Sequence, residues 1–324
     1  MKWLRIVAPA LALAFAAAAL PATAQTVLNV NTALTTDDPM YAGLERFKAA
    51  VEKRSAGKLS VRIFPGSQLG KDEDVLEQAR AGANVAVLVD GGRLAPFVKE
   101  FGILGAPYLV DNFDQVLRLE QAPLFKGWVD KLRSAASLQV LLFDWFQGHR
   151  HVLTNVPVKV PADLKGVRMR TPGAPVWLET VRAMGATPTG MPWSEVYSAL
   201  QTKVIDGAEA QHPAVYGARL YEVVKHITKT EHIYLITGII TSRAWYDKLP
   251  ADQQAILREE SFAAGKWASE ATIASLADYE KKLREKGVTI TEIDKAPFKA
   301  ATAGVYQTLG YADLRRDVDK VLGR

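Results

Sequence analysis

Residues 162–185 read ADLKGVRMRTPGAPVWLETVRAMG, and this stretch holds a strand, a turn and a helix in succession. The strand is predicted at residues 167–170, and the Thr-Pro-Gly sequence that follows is a turn signal. A helix is predicted over about residues 175–184, and Gly185 ends it. A strand followed by a helix, repeated along a chain, indicates an α/β fold with a parallel sheet.

The same alternation extends in both directions from this stretch. Towards the N-terminus, a helix is predicted to begin after the Asp-Asp-Pro sequence at residues 37–39 and to end at Gly57. Towards the C-terminus, the β-rich run at residues 233–240 predicts another strand. Together these elements predict an α/β fold of two lobes. Further strands are predicted at residues 27–30, 59–64, 85–89, 138–143, 149–153 and near 204–208, and further helices at about 72–81, around 194–201 and around Tyr216.

The longest predicted helix covers residues 251 to about 286. This segment has no proline, one glycine at Gly265 and many Ala, Glu, Lys and Leu residues, so it predicts one long helix or a broken pair. Because globular helices usually have about 8 to 20 residues, we expect this one to lie across both lobes as a brace. We predict lobe I at residues 25–147 plus about 236–275, and lobe II at residues 148–235 plus about 276–324.

Residues 1–24 have the order of a secretory signal peptide. Lys2 and Arg5 precede the uncharged residues 6–20, and a Pro-Ala-Thr-Ala sequence then leads to Gln25. A membrane anchor is the alternative, but this apolar stretch is short for a span of about 20 residues. We therefore expect cleavage before Gln25 and a mature chain in the periplasm.

The composition excludes several classes of function. The chain has 324 residues, no cysteine and a net charge of +5, from 40 Lys+Arg and 35 Asp+Glu. The absence of cysteine excludes thiol catalysis, disulfides and Cys-based zinc sites. The weak, dispersed positive charge argues against a nucleic-acid partner. No nucleotide-binding glycine motif and no G-x-S-x-G motif is present, so we expect neither a nucleotide-driven enzyme nor a serine hydrolase.

Two groups of polar residues have simpler explanations than metal binding or catalysis. His149 and His151 have strand spacing and would share one face, but Arg150 between them disfavours a bound cation, so we expect no metal site. The acidic residues Asp72, Glu73 and Asp74 lie at a predicted helix N-terminus, where they complement the helix dipole. We assign no catalytic residue.

Arg170, Arg150 and Trp193 are the candidate ligand-binding residues. Arg170 ends a predicted strand, and ligands of open α/β sheets bind beyond the carboxyl ends of the strands. Its guanidinium could hold a carboxylate through two parallel hydrogen bonds, and a structural or surface salt bridge is the alternative. Trp193 is either a core residue or an apolar wall of the cleft.

Several motifs together resemble the signature core of a known family. Residues 162–172 are followed by MGATP at 184–188, MPWSEVYSALQ at 191–201 and VIDGAE at 204–209. This series is similar to the solute-binding proteins of tripartite ATP-independent periplasmic (TRAP) transporters, the DctP-like family. GKLSV and PGSQLG, within residues 57–70, resemble the N-terminal lobe of the same family. The resemblance covers essentially the whole predicted mature chain.

The resemblance implies the fold and a set of site residues. It implies a two-lobed periplasmic binding protein fold, in which α/β lobes joined by crossing strands and a long helix close over an organic acid. By motif position, Arg170 corresponds to the carboxylate-binding arginine, Arg150 to a second arginine of the pocket, and Trp193 to an aromatic residue against the ligand. The other implied pocket residues are Asp90, at a position of variable identity, and Asn31 and Thr32 on the other wall.

One motif departs from the family pattern. Many members have Glu-Asn-Pro after the Asp-Gly pair, with the Asn reaching the ligand carboxylate. Here Glu209 is followed by Ala210, Gln211, His212 and Pro213. Either Gln211 or His212 takes the place of the missing amide, or the pocket accepts a bulkier acid.

The resemblance implies a receptor that delivers its solute to the small and large membrane subunits of a permease. We expect a monomer and assign no cofactor. Two arginines fit a dicarboxylate, or one carboxylate with an adjacent hydroxyl or keto oxygen. Trp193, with Trp145 nearby, makes an aromatic or branched acid plausible. We prefer a 2-hydroxy or 2-keto monocarboxylate. The alternatives are a C4-dicarboxylate ligand, a ligand-sensing subunit of a signalling receptor and a periplasmic enzyme.

Overall fold

The computed structural model describes residues 25–324. The signal peptide predicted at residues 1–24 lies outside the described residues. Among the helices formed by residues 25–324, none combines the length and the apolar character needed to cross a membrane.

Nine strands of residues 25–324 form one mixed sheet. They are β1 (Thr26–Asn31), β2 (Leu59–Phe64), β3 (Val85–Asp90), β4 (Leu138–Thr154), β5 (Arg168–Thr171), β6 (Thr187–Gly190), β7 (Gly207–Ala210), β8 (His226–Ser242) and β9 (Thr289–Thr291). Their order is β2-β1-β3-β8-β4-β7-β5-β6, and β9 pairs with β8 off this path. β1 is parallel to β2 and β3, and β5 is parallel to β6 and β7, so each end of the sheet is the parallel α/β unit that strand–helix alternation predicts.

β4 and β8 are the crossing strands, and each has 17 residues. The prediction of two separate strands at 138–143 and 149–153 is wrong, because the ladder with β8 continues through the intervening residues with four shifts of register. Such bulges bend and twist a strand without ending it. Gly148 adopts a positive φ of 114° at one of them, a conformation that favours glycine.

The helices cover both ends of the sheet. Lobe I comprises β1–β3 with the helices up to β4, and lobe II comprises β5–β7 with the helices between and just after them. The helices are α1 (Pro39–Arg54), α2 (Asp72–Arg80), α3 (Gly91–Leu94), α4 (Phe113–Glu120), α5 (Pro123–Ala136), α6 (Pro175–Ala183), α7 (Val196–Gln201), α8 (His212–Gly217), α9 (Arg243–Tyr246), α10 (Ala251–Glu285), α11 (Ala296–Thr302), α12 (Val305–Thr308) and α13 (Ala312–Leu322).

Helix α1 begins where the sequence predicts. The Asp38 side chain accepts a hydrogen bond of 2.9 Å from the backbone N–H of Met40, and Pro39 occupies the first turn. Its apolar face, with Leu44, Phe47 and Val51, is buried in the core of lobe I. Lobe II has a separate core. Each lobe therefore buries its own apolar side chains.

Helix α10 is one continuous helix of 35 residues, as one of the two sequence-based alternatives predicted. It packs against α1 and β4, and its C-terminal half contacts α8 of lobe II. Gly265 permits the close approach to β4, because a Cβ atom there would lie 2.3 Å from Nε1 of Trp145. The helix therefore contacts both lobes, as expected of a brace.

The C-terminal helices divide between the lobes. Phe298 of α11 is buried in the core of lobe II. Val318 and Leu322 of α13 are instead buried with Val116 and Leu119 of α4, in lobe I. Helix α13, which the predicted range of lobe II includes, thus buries its apolar face against a helix of lobe I.

Candidate ligand-binding site

A cavity of about 480 Å³, part of it open to solvent, lies between the two lobes. Its walls include the ends of parallel strands and the residues just beyond them: Asp90 ends β3, and Thr32 and Gln211 follow β1 and β7. Such strand ends are where open α/β sheets bind ligands. The polar residues that line the cavity are Thr32, Asp72, Asp90, Arg93, Gln147, Arg150, Arg170, Gln211 and Thr237.

Arg170 on β5 is 1% exposed and lines this cavity. Its Nε and Nη2 atoms donate hydrogen bonds of 2.9 and 2.7 Å to the backbone carbonyl of Met191. The guanidinium lies 5.3 Å from the ring centre of Trp193. Within residues 25–324, no carboxylate forms an ion pair with Arg170.

The charge of Arg170 is therefore not neutralised by a neighbour. Burial, together with the charge of Arg150, lowers the pKa of Arg170 to about 9. The side chain stays protonated at pH 7. A buried cation without a partner favours an anionic ligand, which would supply both the missing charge and the missing acceptors.

Arg150 on β4 is also buried at the cavity, but it already has an anionic partner. Its Nη2 donates a hydrogen bond of 2.7 Å to Oε1 of Glu209, and its Nε pairs with Oε2 of the same carboxylate. The Thr171 hydroxyl donates to Glu209 Oε1 at 2.8 Å. Arg150 also lies 4.5 Å from the ring centre of Trp177. The Arg150 side chain is therefore held in place before any ligand binds.

Glu209 keeps its negative charge although it is fully buried. Burial raises its pKa, but the positive charge of Arg150 and a hydrogen bond from His232 outweigh this effect and lower the pKa to about 2. His232 Nε2 lies 3.5 Å from Glu209 Oε2. Arg150 and Glu209 thus form a neutral pair at pH 7.

A second charged cluster lines the lobe I side of the cavity. Asp90 accepts hydrogen bonds from the backbone N–H of Arg93, at 3.2 Å, and from its guanidinium. Arg93 Nε also lies 3.6 Å from Asp72 Oδ2 and 2.9 Å from Glu73 Oε1. Burial, offset in part by Arg93, raises the pKa of Asp72 to about 6. Asp72 Oδ1 is buried without a hydrogen-bond partner among the described residues.

The structure brings six of the eight sequence-predicted site residues to this cavity. Arg170, Arg150, Trp193, Asp90, Gln211 and Thr32 all line it. Asn31 does not, because its buried amide donates to Gly70 O at 3.3 Å and accepts from Leu69 N at 3.1 Å, so it holds the loop after β2.

His212 also lies outside the ligand cavity. It lines a separate cavity with His149 and His151, beneath α10, and its ring centre is 4.5 Å from that of His151. Side chains alternate between the two faces of β4, so Arg150 points to the ligand cavity while His149 and His151 point away from it. Of the two proposed replacements for the missing amide, only Gln211 reaches the cavity, where its Nε2 donates to Gln147 at 3.0 Å.

Trp145 does not contribute to the site either. The sequence suggested that it lies near the ligand, but its ring is fully buried in the core of lobe I, against Gly43 and Gly265. Trp193 is the aromatic residue that lines the cavity in residues 25–324.

Sequence reasoning missed Asp72, Arg93, Gln147 and Thr237 as cavity residues. Asp72 does lie in the first turn of α2, as the dipole interpretation requires, and it faces the cavity as well. The signal for Arg93 was its position three residues after Asp90, one helical turn beyond the end of a strand. Gln147 and Thr237 lie on the crossing strands, where the bulges made the direction of each side chain unpredictable.

No metal centre is evident in the part of the chain that the structure describes. Residues 25–324 contain no group of three or more His, Asp or Glu side chains placed to hold a metal ion.

Comparison with known proteins identifies the family. The model of the bacterial extracellular solute-binding protein family 7, DctP, matches residues 30–313. The chain belongs to this family. The resemblance found in the sequence is thereby confirmed, and members of family 7 bind solutes for transport and are not enzymes.

Two solved TRAP periplasmic solute-binding proteins share the fold of this family 7 chain. One, from Escherichia fergusonii in an apo open form, is 46% identical, with 91% of this chain and 99% of that chain covered and a TM-score of 0.80. The other, from Ochrobacterium anthropi with bound L-fuconate, is 31% identical, with 92% and 100% covered and a TM-score of 0.89. The chain is thus closer in shape to the ligand-bound structure, although its sequence is closer to the open one.

A curated relative is the C4-dicarboxylate-binding periplasmic protein DctP of Rhodobacter capsulatus. It is 32% identical over 238 residues, which are 73% of this chain and 71% of the relative. These matches confirm the predicted α/β two-lobed fold and show a TRAP solute-binding protein.

Proposed function

We propose that this protein is the periplasmic receptor of a TRAP transporter for an organic monocarboxylate that carries a 2-hydroxy or 2-keto oxygen. One observation carries the proposal: Arg170 is a buried cation at the interlobe cavity without an acidic partner among residues 25–324. The ligand carboxylate pairs with Arg170, and the adjacent oxygen accepts from a neighbouring donor such as Gln211.

The charges that line the cavity favour one carboxylate over two. Arg150 is neutralised by Glu209, and Arg93 by Asp90 and Asp72, so Arg170 alone carries an unopposed charge. A second carboxylate on the ligand would lie near Asp72 and Asp90, and like charges at such distances repel. The dicarboxylate bound by the Rhodobacter relative is the second candidate, because the overall identity of 32% covers most of both chains.

The rest of the ligand meets polar groups as well as Trp193. Gln147, Gln211 and Thr237 form a chain of hydrogen bonds at the cavity, with distances of 3.0 and 3.3 Å. Asp72 Oδ1 has no hydrogen-bond partner within residues 25–324, so a ligand hydroxyl would complete its hydrogen bonding. The L-fuconate of the Ochrobacterium structure has this chemistry, with one carboxylate and several hydroxyls.

The arginine cannot account for the affinity by itself. Hydrogen bonds to charged groups contribute about 1.5–3 kcal/mol each, whereas micromolar binding needs about 8.2 kcal/mol. When the lobes close, contacts with Trp193 and with the hydrogen-bonded side chains Gln147, Gln211 and Thr237 supply the rest of the binding free energy. Closure around small ligands is the usual motion of periplasmic binding proteins.

Delivery to a permease follows from the family. We infer that the small and large membrane subunits of a TRAP permease recognise the closed, ligand-bound lobes. The receptor is exported by the signal peptide proposed at residues 1–24 and acts as a monomer. Genes for the two membrane subunits beside this reading frame would support transport. A neighbouring receptor-kinase gene, without genes for the membrane subunits, would favour the sensory alternative.

The test is a thermal-shift screen of residues 25–324 against hydroxy, keto, sugar and C4-dicarboxylic acids. A ligand present at a hundred times its Kd raises stability by about 2.7 kcal/mol, which is readily seen as a higher Tm. We expect shifts with monocarboxylates, and we expect Arg170→Ala to abolish them.

The matched control is Arg168→Ala on the same strand, because Arg168 is half exposed and pairs with Asp206 at 2.8 Å, away from the cavity. This variant should keep full binding. Binding of the same acid by Arg170→Ala with unchanged Kd would refute the proposed role of Arg170, and shifts with dicarboxylates alone would favour the second candidate.

A further inference from the structure

An ion pair joins the two lobes at the mouth of the cavity. Lys71 precedes the first residue of α2 in lobe I, and Glu195 lies in the short 3₁₀ turn Trp193–Glu195 of lobe II. Lys71 Nζ lies 3.0 Å from Glu195 Oε1, and each side chain is 49% exposed. The pair therefore crosses from one lobe to the other at the surface.

The pair stands directly beside the ligand cavity without lining it. Asp72 and Trp193, which are one and two residues from the paired side chains, line the cavity. Trp193 packs against the apolar cores of both lobes. Any movement that widens the mouth would separate Trp193 from the lobe I core and Lys71 from Glu195 together.

The lobes also touch at a second place, where residues 25–324 form no ion pair. Gly217 at the end of α8 lies so close to Thr35 of lobe I that a Cβ atom on Gly217 would be 2.3 Å from Thr35 Oγ1. This contact is a steric limit to closure, whereas the Lys71–Glu195 pair is an attraction. The pair is thus the charged contact at the mouth that can favour the closed arrangement.

We propose that Lys71 and Glu195 form a latch that holds the lobes closed and sets the residence time of the bound solute. The proposal rests on the proposed function, in which a solute binds between the lobes. A solute leaves only from the open form, so an interaction present only in the closed form slows dissociation. It leaves the association rate with the open form unchanged. Both residues are positioning residues, because neither lines the cavity.

Charge reversal separates a latch from simple attraction of an anionic solute. Lys71→Glu makes the protein more negative and Glu195→Lys makes it more positive, yet each places like charges opposite one another at the mouth. A latch predicts that both variants release the solute faster. The double variant restores opposite charges with the original net charge, and it should restore the original rate. Attraction alone predicts opposite effects from the two single variants.

The first measurement is stopped-flow dissociation of L-fuconate from the parent, the two single variants and the double variant. Exposed pairs contribute about 0.2–1 kcal/mol, so each single variant should release the probe about 1.4 to 5 times faster, with the parent rate recovered in the double variant. The difference should shrink in 1 M salt, which screens exposed charges. Arg80→Glu, in an exposed pair with Glu77 inside α2, is the matched control and should leave dissociation unchanged.

The second measurement does not depend on which acid the protein binds. The chain has no cysteine, so spin labels at Lys58→Cys in lobe I and Lys165→Cys in lobe II report only the distance between these positions. The closed fraction, with and without L-fuconate, should fall in both single variants and return in the double variant. An unchanged closed fraction in all four proteins, or single variants that the double reversal does not rescue, would overturn the latch. If L-fuconate does not change the closed fraction of the parent protein, only the choice of this acid is contradicted. The distances measured without ligand would still test the latch.

Discussion

Arg150 on β4 and Arg170 on β5 are both buried at one cavity, and they differ in what neutralises them. Arg150 forms an ion pair with Glu209, and the carboxylate of Glu209 accepts a hydrogen bond from the Thr171 hydroxyl. The charge of Arg150 is therefore balanced without a ligand. Within residues 25–324, the hydrogen bonds of the Arg170 guanidinium go to a backbone carbonyl and not to a carboxylate. Burial alone therefore does not distinguish the two arginines, and the missing counter-charge does. In the proposed function, this missing counter-charge makes Arg170 the arginine that pairs with the ligand carboxylate.

The largest effect is expected when the counter-charge of Arg150 is removed. Glu209→Gln would leave Arg150 buried and unpaired, so we expect a loss of about 3–5 kcal/mol in the free energy of unfolding, measured by urea denaturation. The double variant Arg150→Met, Glu209→Leu removes both charges and should lose less. A loss below about 1 kcal/mol in Glu209→Gln would mean that the pair is not needed to neutralise Arg150.

The second prediction exchanges the head group of each arginine in turn. Lysine keeps the charge but cannot form two parallel hydrogen bonds, so Arg170→Lys should weaken binding of the acid identified by the screen about 10- to 100-fold. Arg150→Lys should change the affinity less than about threefold and lower the Tm instead. Isothermal titration calorimetry measures the affinity, and thermal unfolding measures the Tm. Equal losses of affinity in both variants would contradict the proposed difference between the two arginines.

The third prediction concerns the opposite face of β4, where the histidines lie. Burial, with the positive charge of Lys229, lowers the pKa of His212 to about 3. An unfolded histidine has a pKa of about 6.5, so the stability linked to His212 is complete above pH 6.5 and is lost as the pH falls towards 3.

His212→Gln tests this linkage. From pH 7 to pH 5, the parent should lose about 2 kcal/mol more unfolding free energy than the variant does. Taking the difference between the two proteins cancels other buried groups, such as Asp72, whose raised pKa acts in the opposite direction. Parallel pH profiles of the two proteins would contradict this prediction, because they would mean that the pKa of His212 is the same in the folded and unfolded states.

The smallest effect is expected at Asp72, in the lobe I cluster. A bound carboxylate nearby would raise the pKa of Asp72 further above 6, so binding should take up a proton and the affinity should increase as the pH falls from 7 to 5. The increase should be less than about tenfold, and Asp72→Asn should remove it. Calorimetry in two buffers with different ionisation enthalpies measures the proton uptake, and equal heats in both buffers would contradict it.

The sequence predicted the architecture because strand, turn and helix signals repeat in order around residues 162–185. It also placed Arg170 correctly at a strand end, since the carboxyl ends of parallel strands meet at one edge of the sheet. It could not predict the course of β4, because bulges between residues 140 and 152 change which face each side chain meets. This is why Trp145 was expected near the ligand and lies in the core.

The pairing of charged side chains could not be predicted from the sequence either. Glu209 lies 59 positions from Arg150, and only the antiparallel register of β4 with β7 brings them together. His212 follows Gln211 directly, yet the end of β7 sends one side chain to the ligand cavity and the other to the opposite side of the sheet. Composition and motif spacing contain no information on either.

The single sheet limits the order in which the chain can fold. Strand β3 pairs with β8, and Ala86 lies opposite Thr241. The N-terminal lobe therefore has an unpaired inner strand edge until β8 is available to pair with it. Long-range pairings of this kind slow folding, because a large loop must close first. Completion of the N-terminal lobe is thus expected to be a late event in folding, because it needs a strand from the C-terminal third of the chain.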